Sequence, residues 1–217
     1  MNVGQLINLA FNTARGRQRE SLDCWRELSR RLGGRLPNSI LSISVQRAGT
    51  LDAVVRCMED DFDLEAEKTV PIEQSYSDYQ MMLSEIWVGS AYELVRLSIE
   101  RNLLPKSPEL DAVAHDLRIL RVTLEKHEIA AERKLGGPVA MTTMPTLPSQ
   151  TSEKPSTYEY DPKDPLKAHI MPMGVSDRGS VMWLAADAAA MTSRWIERRL
   201  LSERLIALST GKRTADP

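Results

Sequence analysis

Residues suited to nucleophilic, redox or metal chemistry are scarce in this chain. Its 217 residues include three histidines and two cysteines, and only 5% are aromatic. Cys24 and Cys57 lie far apart and form no ligand-spaced pair, so they read as buried free thiols in a reducing compartment. His115 and His169 have no partner at metal-ligand spacing, and neither a metal nor a cofactor is expected. His115, near a helix start, is expected to be exposed. There is no glycine-rich phosphate loop, which excludes a P-loop or a dinucleotide fingerprint. No serine occupies a nucleophile elbow. Charge of one sign is also missing: the formal net charge is -2, too small for a global field that recruits nucleic acid or membrane. No stretch approaches the roughly 18 apolar residues of a membrane span. The opening MNVGQLINLAFNTARGRQRE has no acid before Glu20, yet it lacks the charged start and apolar run of a secretory signal. These absences predict a cytoplasmic protein without a membrane association.

What remains is an ordinary globular balance, 42% hydrophobic and 27% charged, in a chain long enough to bury a core without staples. Val3, Leu6, Ile7, Ala10 and Phe11 read as the first helix. Leu22, Trp25, Leu28 and Leu32 recur at helical spacing, with a break near Gly16 and a stop at Gly33-Gly34 before Pro37. Residues 38 to 48 alternate like a strand but also fit a helix. Thr50 looks like an N-cap for a helix through Leu51, Val54, Val55 and Met58. In EDDFDLEAE, residues 59 to 67, six of nine residues are acidic. They lack the glycine and spacing of a calcium loop, so a solvated helix end or loop is expected.

Residues 76 to 102 form the strongest helical pattern, capped by Ser77 or Asp78. Tyr79, Leu83, Trp87, Ala91, Leu94 and Ile99 make its apolar face. Gly89 and Ser90 within it leave room for another backbone. LPKSPEL turns the chain, and a second long helix is predicted from Glu109 to Lys134, ended by Gly136-Gly137-Pro138. The short connection makes the two helices antiparallel. Seven prolines, at 138, 145, 148, 155, 162, 165 and 172, mark an extended segment over 138 to 180. Two short strands are expected around His169 to Met173 and Ser180 to Leu184. A last helix follows over Ala186 to Ser209, with Trp195, Leu200, Leu201, Leu205 and Leu208 as its apolar face. Its arginines, Arg194, Arg198, Arg199 and Arg204, lie mostly on the other side and read first as a solvated face, with the acidic run of a second subunit as the alternative.

The fold expected is therefore mainly α: a bundle of five or six helices with a proline-rich extended segment and a short β-hairpin before the last helix. Residues 1 to 137 would form the bundle core. Residues 138 to 180 would be the extended segment of the same domain, and 181 to 217 a final strand and helix packed on the bundle.

Three polar groupings compete for a function. Arginines 15, 17, 19, 26, 30, 31 and 35 suit phosphate contacts, but Glu20, Asp23 and Glu27 interrupt them, which favours a solvated face. On the two long helices, Tyr92, Glu93, Arg96 and Arg118 converge in an antiparallel pair and are candidate binding residues, a possible inter-helix pocket for a small molecule. Arg121 and His127 lie six residues apart on the second helix. There His127 continues the stripe Val113, Leu117, Leu120 and Leu124, and Arg121 sits about 120° away.

An arginine, five residues and a histidine on a late helix of an α-bundle resembles the R-x4–6-H motif of HEPN domains. The resemblance implies a metal-independent ribonuclease. His127 would be its general acid or base, and Arg121 would stabilise phosphoryl charge, usually at a dimer cleft. Over about residues 76 to 209, SEIWVGSAYELVRL, LRILRVTLEKHE and SRWIERRLLSERL also resemble an uncharacterised bacterial family of helical proteins. That likeness implies a fold and no reaction. The leading expectation is a homo-oligomer acting through contacts with an unknown protein partner. The alternatives are the ribonuclease, with RNA as substrate, and the small-molecule sensor.

Overall fold

A computed structural model describes residues 1–36, 39–66, 74–142 and 157–210. Six α-helices occur among them: α1 (Val3–Arg17), α2 (Arg19–Arg35), α3 (Leu41–Ala66), α4 (Gln74–Glu100), α5 (Pro108–Lys126) and α6 (Arg198–Thr210). Five short strands precede α6. β1 (Val139–Thr142) and β2 (Thr157–Tyr160) form an antiparallel hairpin. β3 (Met173–Val175), β4 (Val181–Asp187) and β5 (Thr192–Glu197) form an antiparallel meander. The protein is mainly α, as its periodicities predict.

The core forms where the apolar stripes meet. Trp25, Leu28 and Leu32 of α2 pack with Val45 and Ala48 of α3 and Trp87, Val88 and Ala91 of α4. Val113, Leu117 and Leu120 of α5, Trp183 of β4, and Leu201 and Leu205 of α6 complete it. β4 is the strand that joins the core, because Val181, Trp183 and Ala185 all face inward at period two. A smaller cluster of Ile129, Leu135, Tyr160, Ala186 and Ala188 ties the hairpin to the end of α5. No helix of the described residues is long and apolar enough to cross a membrane.

Several boundaries differ from expectation for physical reasons. Residues 41 to 48 belong to α3, which runs unbroken through Thr50. The Thr50 hydroxyl donates to the Gln46 carbonyl within that helix at 2.8 Å and caps nothing. α4 begins at Gln74, ahead of Ser77 and Asp78, and Tyr79 faces solvent instead of the core. α5 ends at Lys126, eight residues before Lys134, because His127 adopts the left-handed conformation (φ 57°) that closes a helix. At its other end Ser107 accepts from the Leu110 N–H and Pro108 opens the first turn. Residues 186 to 197 are not helix: Ala186 and Asp187 end β4, and Trp195 lies on β5, paired with Leu184. The β1–β2 hairpin inside the proline-rich segment carries no local signal, since its pairing joins residues far apart in sequence. Pro37, residues 67 to 73 and the Ser/Thr-rich stretch from 143 to 156 lie outside the described residues.

Candidate functional site

The antiparallel α4 and α5 bring most of the expected site residues to one seam. The Arg121 guanidinium lies over the Tyr92 ring, 4.8 Å from its centroid. It also meets Glu125 at 2.9 Å and Glu93 at 3.8 Å. Glu93 is shared with Arg96 at 2.8 Å, and Arg96 reaches on to Glu100. Arg118 is exposed at the edge. The space at Gly89 is used by a side chain, not by a backbone: a Cβ there would stand 3.3 Å from Oε1 of Glu125.

His127 departs from its expected place. It is exposed at the turn after α5, and its carbonyl accepts from the His169 N–H at 2.7 Å. Burial raises the Glu85 carboxyl above its usual range, and the nearby His127 opposes that shift. Arg121 and His127 are thus held by different neighbours. Six helical residues separate their backbones by about 9 Å along the axis. A phosphoryl group approaching Arg121 would have to compete with Glu93 and Glu125.

The most heavily buried polar assembly lies elsewhere, between α3 and α6. Arg198 is 0% exposed. Its Nε and Nη2 donate to the two oxygens of Glu59 at 2.7 and 2.8 Å, and its Nη1 donates to Asp52 at 2.6 Å. Its guanidinium also lies over the Trp87 ring. Asp52 further accepts from the Trp25 indole and from Arg56, each at 2.9 Å, and Glu59 accepts from the Ser180 hydroxyl. Burial alone would raise the Asp52 carboxyl. The guanidiniums of Arg198 and Arg56 outweigh it, and hydrogen bonds from Arg198 and Trp25 add to them, so its pKa falls well below the carboxylate range. The acidic run is therefore no solvated end at Glu59. Arg199 closes on Asp60 at 2.6 Å within the same chain, so these arginines form neither a solvated face nor, at Arg199, a contact for a second subunit's acidic run. Two carboxylates and two guanidiniums saturate one another here, which suits a structural clamp. One signal was legible: Asp52, Arg56 and Glu59 fall on the apolar stripe of α3 that includes Leu41, Val45 and Ala48.

A second polar cluster joins the hairpin to the loops around it. Tyr158 Oη accepts from the Ile170 N–H at 2.9 Å and lies 2.5 Å from His169 Nδ1. This pattern has the phenol donating to Nδ1 and leaves the His169 proton on Nε2, which is buried without a partner. Burial pushes the His169 imidazole down to about 4. Tyr160 repeats the motif, accepting from the Ile129 N–H and donating to Glu132, which Lys167 holds at 2.9 Å. On the opposite side of α5, half-exposed His115 meets Asp187 at 2.6 Å. Buried Asp116 accepts from Arg194 and Arg204. These pairs fasten α5 to the meander and α6. Neither histidine's partner lies at a spacing that sequence could read.

Two open grooves flank the bundle. One, about 470 Å³, lies between α3 and α4, and Glu93 and Arg96 sit on its wall among Leu36, Ile40, Leu94 and Leu97. The other, about 590 Å³, lies between α1 and α3. They share Arg47 and Leu51. No family model, curated protein or solved structure matches the chain.

Proposed function

We propose that this is a non-enzymatic helical protein that works through protein contacts, beginning with self-association across the outer surface of α1 and α3. The exposure of α1 carries the reading. Of its 15 residues only Ala14 is buried, and Val3, Leu6, Ile7 and Leu9 face solvent. Ile40, just before α3, and Ile43 within its first turn are exposed as well. A helix of this length is marginal in water unless an apolar face is packed. An apolar surface spread over two helices marks an interaction site. The buried Asp52–Arg56–Glu59–Arg198 cluster supports the same reading, because its carboxylates and guanidiniums are already committed to one another.

Sedimentation equilibrium of the purified protein tests it. The expected result is a dimer or larger species that Leu6→Asp with Ile7→Asp dissociates, with a cooperative melt retained. A wild type that stays monomeric at micromolar concentration rejects the reading. The ribonuclease alternative draws support from one observation, the exposure of His127 at the end of α5. RNA cleavage by the wild type without metal, abolished in Arg121→Ala and in His127→Ala, would put that alternative first. No cleavage is the expected result.

A further inference from the structure

We infer that the groove between α1 and α3 receives the outer face of α4 from a second copy of this chain. The inference rests on the self-association proposed above and names its two surfaces. The groove has an apolar floor of Gly4, Ile7, Phe11 and Leu51, with Arg15 and Arg47 on its walls. No carboxylate lines it, and no acid precedes Glu20 in the sequence. Arg17, one turn from the groove, is closed by Asp61 at 2.7 Å. Arg15 reaches only as far as the Asn12 amide oxygen, at 3.5 Å. The surface is therefore apolar and cationic, and it fits an apolar, anionic helix.

α4 presents such a face. Tyr79, Met82 and Ile86 are exposed at successive turns, one stripe on the helix. Asp78 and Glu85 both lie along one edge of that stripe, Glu85 half-buried. From Ser77 to Tyr92 the helix carries two acids, Asp78 and Glu85, and no base, while Glu93 beyond them is already paired with Arg96 and Arg121. The exposed apolar residues of the meander, Met173 and Trp195, are set instead among charges of both signs, Arg194 and Glu197. Each copy thus owns one cationic apolar face and one anionic apolar face. Two contacts of α1 on α4, related by a two-fold axis, would close a dimer without leaving a free end.

Charge reversal in trans tests the pairing. One variant carries Arg15→Glu and Arg47→Glu, which makes both of its faces anionic. The other carries Asp78→Lys and Glu85→Lys, which makes both cationic. Each alone is expected to dimerise on the order of tenfold more weakly than the wild type or worse, because like charges then oppose. An equimolar mixture restores both contacts and is expected to recover a heterodimer in sedimentation. Recovery also shows that both variants are folded. A wild-type dimer that both variants retain, or variants that stay apart when mixed, overturns this pairing and leaves self-association standing. A monomeric wild type removes both proposals. A monomer that instead co-floats with anionic phospholipid vesicles assigns the cationic face to lipid and likewise overturns the pairing.

Discussion

Arg198 opens α6 with its guanidinium wholly inside the protein, answering Glu59 and Asp52 together. An interior ion cluster is weak evidence of stability as such, since a matched set of apolar residues can do as well. Removing one member is different, because it leaves the others charged and buried. Arg198→Leu is therefore expected to lose about 3–5 kcal/mol in urea unfolding at neutral pH. The pH dependence separates charge from packing. In the wild type the Asp52 carboxyl titrates below its ordinary value of 3.8, so its contribution is complete above that value and fades only as the pH falls below it. In the variant, Asp52 loses its main cation, and burial, which already opposes its ionisation, raises its carboxyl. Mild acid then protonates it in the folded state and relieves part of the loss. The gap between variant and wild type should narrow as the pH drops from 7 toward about 4. A gap that stays constant over that range would show that Arg198 contributes by packing alone.

Among the elements, α2 and α3 approach closely where Gly49 meets Trp25. A Cβ on Gly49 would stand 2.5 Å from Cγ of that indole. The tryptophan cannot swing aside freely, because its N–H donates to Asp52. Two effects of Gly49→Ala oppose each other. Alanine favours a helix interior by about 1 kcal/mol. Forcing a methyl into a filled contact costs about 1–3 kcal/mol. The second should win, and a lower melting temperature is expected. Gly34→Ala, near the end of α2 with nothing within 4 Å of the new methyl, is the control and should melt at or above the wild type. If both variants melt higher, the crossing is looser than the contact implies. The helices themselves were readable because each writes a stripe such as Trp25, Leu28, Leu32 that its own packing explains. Their ends were less so. The glycine pair at 136 and 137 looks like the stop for α5, but His127 ends it first, and Ile129 and Ala130 are drawn into packing with the hairpin and the bundle. The same limit governs the polar sites. Tyr92, Glu93 and Arg121 could be placed together because two antiparallel helices carry them. Glu59 and Arg198 could not, being 139 residues apart and joined only by the tertiary fold.

At the scale of the molecule, the β1–β2 hairpin and the loop before β3 are fastened in part through one neutral histidine. The His169 backbone binds the end of α5 through the His127 carbonyl, and its ring accepts from Tyr158 on β2. Protonation puts a second donor where that ring must accept, and it places a cation in a site that burial already makes hostile to charge. The imidazole is held at about 4, against 6.5 for an unburied histidine. Between those values the unfolded chain binds a proton that the folded protein refuses, so stability falls as the pH is lowered through that window. Above 6.5 both states are neutral and the term vanishes. This slope precedes the one from Asp52, which begins only below 3.8, so the two can be read separately in one series of melts. His169→Gln keeps an amide nitrogen and oxygen near the phenol but does not titrate. It should lower stability at neutral pH through imperfect fit, and it should flatten the decline between pH 6.5 and 4 relative to the wild type. An equally steep decline in the variant would mean that another group takes up the proton and that the hairpin's attachment is insensitive to it.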